Sequence, residues 1–270
     1  MLMRRRIAGV LGVFGSVIVA AALWSAGSVA AAATVAPGTP TARSFDGLPS
    51  VGPLFHDGLS QPHDCTASVV ASPGRDLILT AAHCISGTGA GYRFVPGYDK
   101  GAAPYGVWTV THAYVDPGWI SVQDPRDDIA ILQVAVQQRG SRTVSVQDVS
   151  GANYLLPRPR PGQSITAVAY NFGIDDQPIT CTIPVYYTGG YPSFDCHGYV
   201  GGSSGSPWLT TVAGTHVTFV RGVTVGLHQG GCFEYTSYSA PLGADVYRLL
   251  ARATVGDDPD TLPPAGSDGC

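Results

Sequence analysis

Three short stretches carry side-chain types that together could perform acyl transfer. "LILTAAHC" places His83 just after an apolar run and next to Cys84. "DPRDDIAIL" places two carboxylates, Asp127 and Asp128, at the head of another apolar run. "GYVGGSSGSPW", residues 198–208, packs four glycines and three serines in front of a Pro-Trp pair. A serine hydroxyl is a weak nucleophile until a base takes its proton and fixed donors receive the charge that develops on the substrate oxygen. An imidazole is such a base. Glycines at 201, 202 and 205 permit positive φ and can aim backbone N–H groups at one point. An aspartate opening a buried strand must face water or meet a donor, and an imidazole N–H is such a donor. Each stretch also has a plain structural reading: a histidine beside a structural cysteine, a solvated strand start, a Gly/Ser loop. A linker, however, would not need Pro207-Trp208-Leu209 to run straight into another β segment.

The elements that must position these residues read as strands. "DLILT" (76–80), "DIAILQVAV" (128–136), "SITAVAY" (164–170), "TIPVYY" (182–187) and "HVTFVRGVTVGL" (216–227) are short β-branched runs punctuated by Gly, Pro, Asn and Asp. That pattern predicts an antiparallel barrel or sandwich. One stretch, "GADVYRLLARAT" (243–254), predicts a helix, with Val246, Leu249 and Leu250 on one face and Gly256 as its stop.

The ends have their own signatures. Arg4, Arg5 and Arg6, an uncharged apolar run from Ile7 to about Ala22, and the small residues Ala30 to Ala33 describe a secretory signal peptide over 1–33. The run is also long enough to serve as an uncleaved membrane anchor. Residues 34–50, rich in Pro, Thr, Ser and Gly, read as a linker or short propeptide, with Arg43-Ser44 as a candidate cut. Residues 255–270 read as an acidic, Pro-rich surface tail. Between them, 51–254 is long enough for one large domain or two small ones sharing a core.

Without the leader, twelve basic residues face nineteen acidic ones, a net charge of −7. That balance argues against nucleic acid or an anionic membrane as partner once the leader is gone. The six cysteines, Cys65, Cys84, Cys181, Cys196, Cys232 and Cys270, all follow the leader. An even count in an exported chain implies disulfides, and neither Cys-x-x-Cys nor His-x-x-x-His spacing signals a metal. Cys65 and Cys84 would close a hairpin beneath His83. Cys181 and Cys196 flank the hairpin-like "YYTGGYPS", which leaves Cys232 for Cys270.

Taken together, "TAAHC", "DDIAIL" and "GGSSGSP" resemble the His, Asp and nucleophile motifs of the trypsin-like (chymotrypsin-fold) serine peptidases, in that fold's chain order. The resemblance spans about residues 51–254. It implies an all-β fold of two six-stranded antiparallel β-barrels with a C-terminal α-helix. It also implies His83 as general base, Asp128 as its orienting carboxylate and Ser204 as nucleophile. The backbone N–H groups of Gly202 and Ser204 would form the oxyanion hole. Ser204 is the serine that precedes Gly205 in the Ser-Gly-x-Pro frame, and Asp128 is the aspartate directly before Ile-Ala-Ile-Leu. No metal or organic cofactor is implied. The expected product is a secreted, monomeric endopeptidase acting on proteins or peptides. A same-fold binding or adhesion protein is the alternative from another class. In animal relatives the Cys196 and Cys232 regions are linked to each other, which makes Cys196–Cys232 the rival pairing.

Two departures narrow the resemblance. Ser203 stands where animal relatives carry the aspartate of their activation switch. Gly198 stands where trypsin itself carries its pocket acid. "GLHQGG" (226–231) instead is similar to a segment of the secreted bacterial glutamyl endopeptidases, as is "FVPGYDKGAAPYGVW" (94–108). His228, with Gly230 and Gly231, would line the substrate pocket, and a buried substrate carboxylate needs such a donor. The chain holds eighteen Asp and one Glu, Glu234, so a glutamate-directed enzyme would offer itself few sites. It is equally poor in Lys, so a general compositional bias explains the same numbers. A peptidase preferring small or apolar residues is the other reading.

Overall fold

The computed structural model describes residue 36, residues 38–173 and residues 176–270. The signal-peptide expectation for 1–33 therefore lies outside the described residues. No helix among the described residues is long and apolar enough to cross a membrane.

The chain enters through a short arm, β1 (Arg43–Ser44), and then builds a closed barrel. Its strands are β2 (Val51–Phe55), β3 (Cys65–Val70), β4 (Leu77–Thr80), β5 (Arg93–Phe94), β6 (Trp108–Val115) and β7 (Ala130–Val134). They close in the order β2-β3-β4-β7-β6-β5. Helix α1 (Pro117–Val122) bridges β6 and β7. A hairpin, β8 (Gln137–Arg139) with β9 (Arg142–Val144), and helix α2 (Val146–Ser150) lead out of the barrel.

The second half holds β10 (Tyr154–Leu155), β11 (Ser164–Ala169), β12 (Ile179–Pro184), β13 (Tyr186–Thr188), β14 (Tyr191–Asp195), β15 (Pro207–Thr211), β16 (Thr218–Val223) and β17 (Thr236–Tyr238). Its ladders form two sheets, β1-β12-β11-β15-β16-β10 and β13-β14-β17. The two sheets share one apolar core: Ile165, Ala167, Ile183 and Trp208 come from the first, and Phe194 from the second. Helix α3 (Ala244–Val255) ends at Gly256, whose positive φ forms the cap. The run 182–187 divides into β12 and β13, because Pro184 has no N–H to continue a ladder. Gly189 and Gly190, both at positive φ, close the hairpin that follows.

Period-two alternation sorts the apolar residues into layers. On β4, Ile78 points into the first barrel, while Leu77 and Leu79 join a second cluster. On β7, Ala130 and Leu132 point inward and Ile131 joins that same second cluster. It also takes Val168, Leu209, Val220 and Val223 from the second half, together with Val246 and Leu249 of α3. Strands β4 and β7 are thus apolar on both faces, one filling the barrel and the other packing against the second half.

Both flanking segments are built into the domain. In the arm, Ala42 N–H donates to His197 O at 2.8 Å and His197 N–H donates to Pro40 O at 2.8 Å. Arg43 and Ser44 pair with Thr180 and Ile179 of β12. The Arg43-Ser44 bond is therefore strand backbone and is presented for cutting only when the arm leaves the sheet. The expected surface tail is mostly exposed, yet Leu262 is buried in the first-barrel cluster and exchanges backbone hydrogen bonds with Gly87. The disulfides are Cys65–Cys84, Cys181–Cys196 and Cys232–Cys270.

Candidate active site

Strand register brings His83 and Asp128 together. Thr80, the last residue of β4, pairs with Ala130, the first of β7. The 3₁₀ turn Ala82–Cys84 follows the one, and Asp128 precedes the other. At that shared end Asp128 Oδ2 lies 2.7 Å from His83 Nδ1, and Oδ1 accepts the His83 backbone N–H at 2.9 Å. Gly226 N–H donates to Oδ2 at 2.9 Å. The carboxylate is wholly buried, and three donors compensate its removal from water. The disulfide from Cys84 to Cys65 closes a 19-residue separation around this turn, a constraint of about 3 kcal/mol against the unfolded chain.

The neighbouring aspartate behaves differently. Asp127 is pushed above the usual carboxylate range, first by burial and then by the negative charges of Asp116 and Asp124. It packs against Gly118, where a Cβ would fall 2.0 Å from Asp127 Oδ2.

The Gly/Ser loop is stitched to the first barrel. Thr66 N–H donates to Ser204 O at 2.8 Å, and Thr66 Oγ1 donates to Gly202 O at 3.0 Å. Gly205 N–H donates to Thr224 O at 2.8 Å. Two positions demand glycine. A Cβ on Gly205 would fall 2.1 Å from Thr66 O and 2.3 Å from Thr80 Oγ1, and one on Gly202 would fall 2.0 Å from Phe172 N. Both also have positive φ, +83° and +93°. The N–H groups of Ser203, Gly205 and Ser206 are hydrogen-bonded within the protein. Among the described residues, those of Gly202 and Ser204 have no protein acceptor.

The Ser204 hydroxyl is hydrogen-bonded to the 227–230 turn. It donates to Gln229 O at 3.4 Å, and no hydrogen bond to the His83 ring forms among the described residues. The spacing of the sequence motifs carries no sign of this contact. Gln229 belongs to "GLHQGG", whose first two residues end the run 216–227 read from the sequence as strand. The strand instead stops at Val223, and Leu227–Gly230 forms a 3₁₀ turn. His228 and Gln229 sit there at φ of 53° and 50°, left-handed conformations unusual for residues with a Cβ.

His228, Gly230 and Gly231 line the same cavity as Ser204, a space of about 380 Å³. Its other walls include Tyr199, Thr224, Glu234 and Asp268. His228 Nδ1 lies 3.1 Å from Asp268 O, so its ring is held by the tail. For Glu234, burial pulls upward but is outweighed by the His197 ring and the Gly198 N–H, each 2.6 Å away, so its carboxyl stays below the usual range. The cavity wall thus carries a carboxylate anchored to the backbone of Gly198.

The family model described as a trypsin-like peptidase domain matches residues 65–217. Three solved structures share the fold. A protease, Anisep, from Arthrobacter nicotinovorans is 23% identical over 80% of this chain and 100% of that one, with a TM-score of 0.65. A thermostable serine protease, AL20, from an extremophilic microorganism is 22% identical over 77% and 98%, with a TM-score of 0.62. A Glu endopeptidase in complex with MPD is 17% identical over 81% and 98%, with a TM-score of 0.61. No curated protein matches. With more than half of its length matched by the family model, the chain belongs to the trypsin-like peptidases and is a serine endopeptidase by class.

Proposed function

We propose that the protein is an exported endopeptidase that hydrolyses peptide bonds through an acyl-enzyme formed on Ser204. The observation that carries this reading is the buried Asp128 gripping both the ring and the backbone of His83, beside a loop that leaves two N–H groups free. In the reactive form Ser204 turns from Gln229 to His83. Its Oγ attacks the scissile carbonyl as its proton passes to His83 Nε2, and the Gly202 and Ser204 N–H groups receive the oxyanion. Collapse breaks the C–N bond, and His83 returns the proton to the leaving amine. Water, deprotonated by the same imidazole, then releases the acyl group. Asp128 keeps Nδ1 protonated throughout, so Nε2 is the face that accepts.

Export is supported by the basic-apolar-small leader of 1–33 and by three disulfides, which persist in oxidising compartments. In this reading 34–50 is the segment exposed on leader removal and 51–254 is the peptidase domain. Substrates are proteins or peptides, and the enzyme works as a monomer.

For the residue before the cut, a glutamate preference rests on His228 and on the likeness to a Glu endopeptidase. Glu234 and Asp268 line the same cavity, and their negative charge favours the second reading, a small or apolar side chain. A peptide library varying only that residue separates the two. Ser204→Ala tests the core of the proposal: kcat should fall on the order of 10⁶-fold with the fold intact. Near-normal turnover by that variant would end it.

A further inference from the structure

The C-terminal segment reaches from the first barrel to the substrate cavity through a series of fixed contacts. Asp260 is ion-paired with Arg252 at 3.1 Å and accepts the Val115 N–H at 2.9 Å. Leu262 is buried in the first barrel. Gln123 then clamps the chain from both sides: its Nε2 donates to Pro264 O at 2.7 Å and its Oε1 accepts the Gly266 N–H at 2.8 Å. Beyond this clamp the tail grips the cavity wall. Gln229 Nε2 donates to Gly266 O at 2.9 Å, His228 Nδ1 meets Asp268 O at 3.1 Å, and Cys270 is bonded to Cys232.

The wall that it grips is strained and sits on the nucleophile. His228 and Gln229 are the two left-handed residues of the turn, and such backbone persists only where surrounding contacts hold it. The Gln229 carbonyl receives the Ser204 hydroxyl. A hydroxyl has one proton to donate, so while Gln229 holds it the serine is not activated by His83. Gly226, Gly230 and Gly231, at φ of 85°, 112° and 144°, flank the turn and can absorb a change of backbone direction.

We propose that residues 264–270 form a latch: they hold the 227–230 turn in a closed form, with the Gln229 carbonyl on the Ser204 hydroxyl. Loosening them lets the strained turn relax, returns the serine to His83 and opens the cavity to substrate. The proposal rests on the reading of Ser204 as nucleophile. It gives the Cys232–Cys270 link a task beyond stability, since that link keeps the tail within reach of the turn it restrains.

The test is the rate at which an aryl fluorophosphonate labels Ser204, located by mass spectrometry. Three proteins are compared: the parent, Gln123→Ala, and a chain ending at Leu262 that also carries Cys232→Ser. Folding of each is verified by circular dichroism and a melting curve. Gln123→Ala lies outside the catalytic groups and keeps all three disulfides. Each folded variant is expected to label faster than the parent, by about tenfold for the shortened chain. A folded variant labelled no faster than the parent overturns the latch. If the shortened chain does not fold, Gln123→Ala decides alone. Absence of label on Ser204 in every protein overturns the nucleophile assignment instead, and the latch with it.

Discussion

Asp128 holds His83 at two points, its ring through Oδ2 at 2.7 Å and its backbone N–H through Oδ1 at 2.9 Å. The imidazole is therefore fixed in both orientation and position. The Gly226 N–H on Oδ2 ties the same carboxylate to the segment that lines the substrate cavity. One buried carboxyl group thus joins His83 to the segment that lines the cavity.

That arrangement makes Asp128→Asn a sharp test. Three donors converge on the carboxylate, and an amide offers them one acceptor oxygen with an NH₂ group in place of the other. The ring loses its proton acceptor or the backbone loses its anchor. We expect kcat to fall about 10⁴-fold with KM little changed, measured on a peptide substrate. A loss below about tenfold would contradict the role given to Asp128.

Gly202→Ala addresses the oxyanion donors. The added methyl would meet Phe172 N at 2.0 Å in a backbone conformation of φ +93°. The loop must shift, and the Gly202 N–H moves with it. A fall in kcat of about 10² to 10³-fold is expected, accompanied by a lower Tm. A variant that is destabilised yet catalyses at the parental rate would remove the oxyanion assignment.

Leu262→Ala tests whether the tail belongs to the folded domain. The side chain is 2% exposed and packs in the first-barrel cluster. Truncation should cost about 2–5 kcal/mol in urea unfolding. A cost under about 1 kcal/mol, the range of surface changes, would mean that the tail is merely resting on the barrel.

Glu234 links pocket stability to pH. Its folded-state value is depressed, so its contribution is complete above the ordinary glutamate value of 4.5 and is lost as pH falls through the lowered one. The parent's Tm should therefore drop with acid below about pH 4.5 more steeply than that of Glu234→Gln, with the two curves converging at low pH. Parallel curves across that window would show that the His197 and Gly198 contacts add nothing to folding.

How much of this was legible beforehand follows from the range of each interaction. The three motifs, their order, the C-terminal helix and the short strands are written in local patterns: apolar periodicity, glycines where φ must be positive, a stop at Gly256. The choice of Asp128 over Asp127 and of Ser204 over its neighbours comes instead from the resemblance to the family's motifs. "WTVTHAYV" forms β6, and its alternation, regular from Trp108 to Thr111, loses phase at an irregularity of register between Val110 and His112, which depends on the pairing with β7.

What the tertiary structure alone decided depends on residues far apart in the chain. Arg43–Ser44 of the arm becomes a strand only because β12 offers it an open edge. The tail is fixed along this path because Gln123 lies across it and bonds Pro264 O and the Gly266 N–H. The Ser204 hydroxyl meets the carbonyl of Gln229 in a left-handed turn that also contacts a segment some forty residues further on, and no local pattern encodes that meeting. Side-chain types and spacing specify which groups could react. Which of them meet in a given conformation is set by long-range contacts whose energies local sequence does not carry.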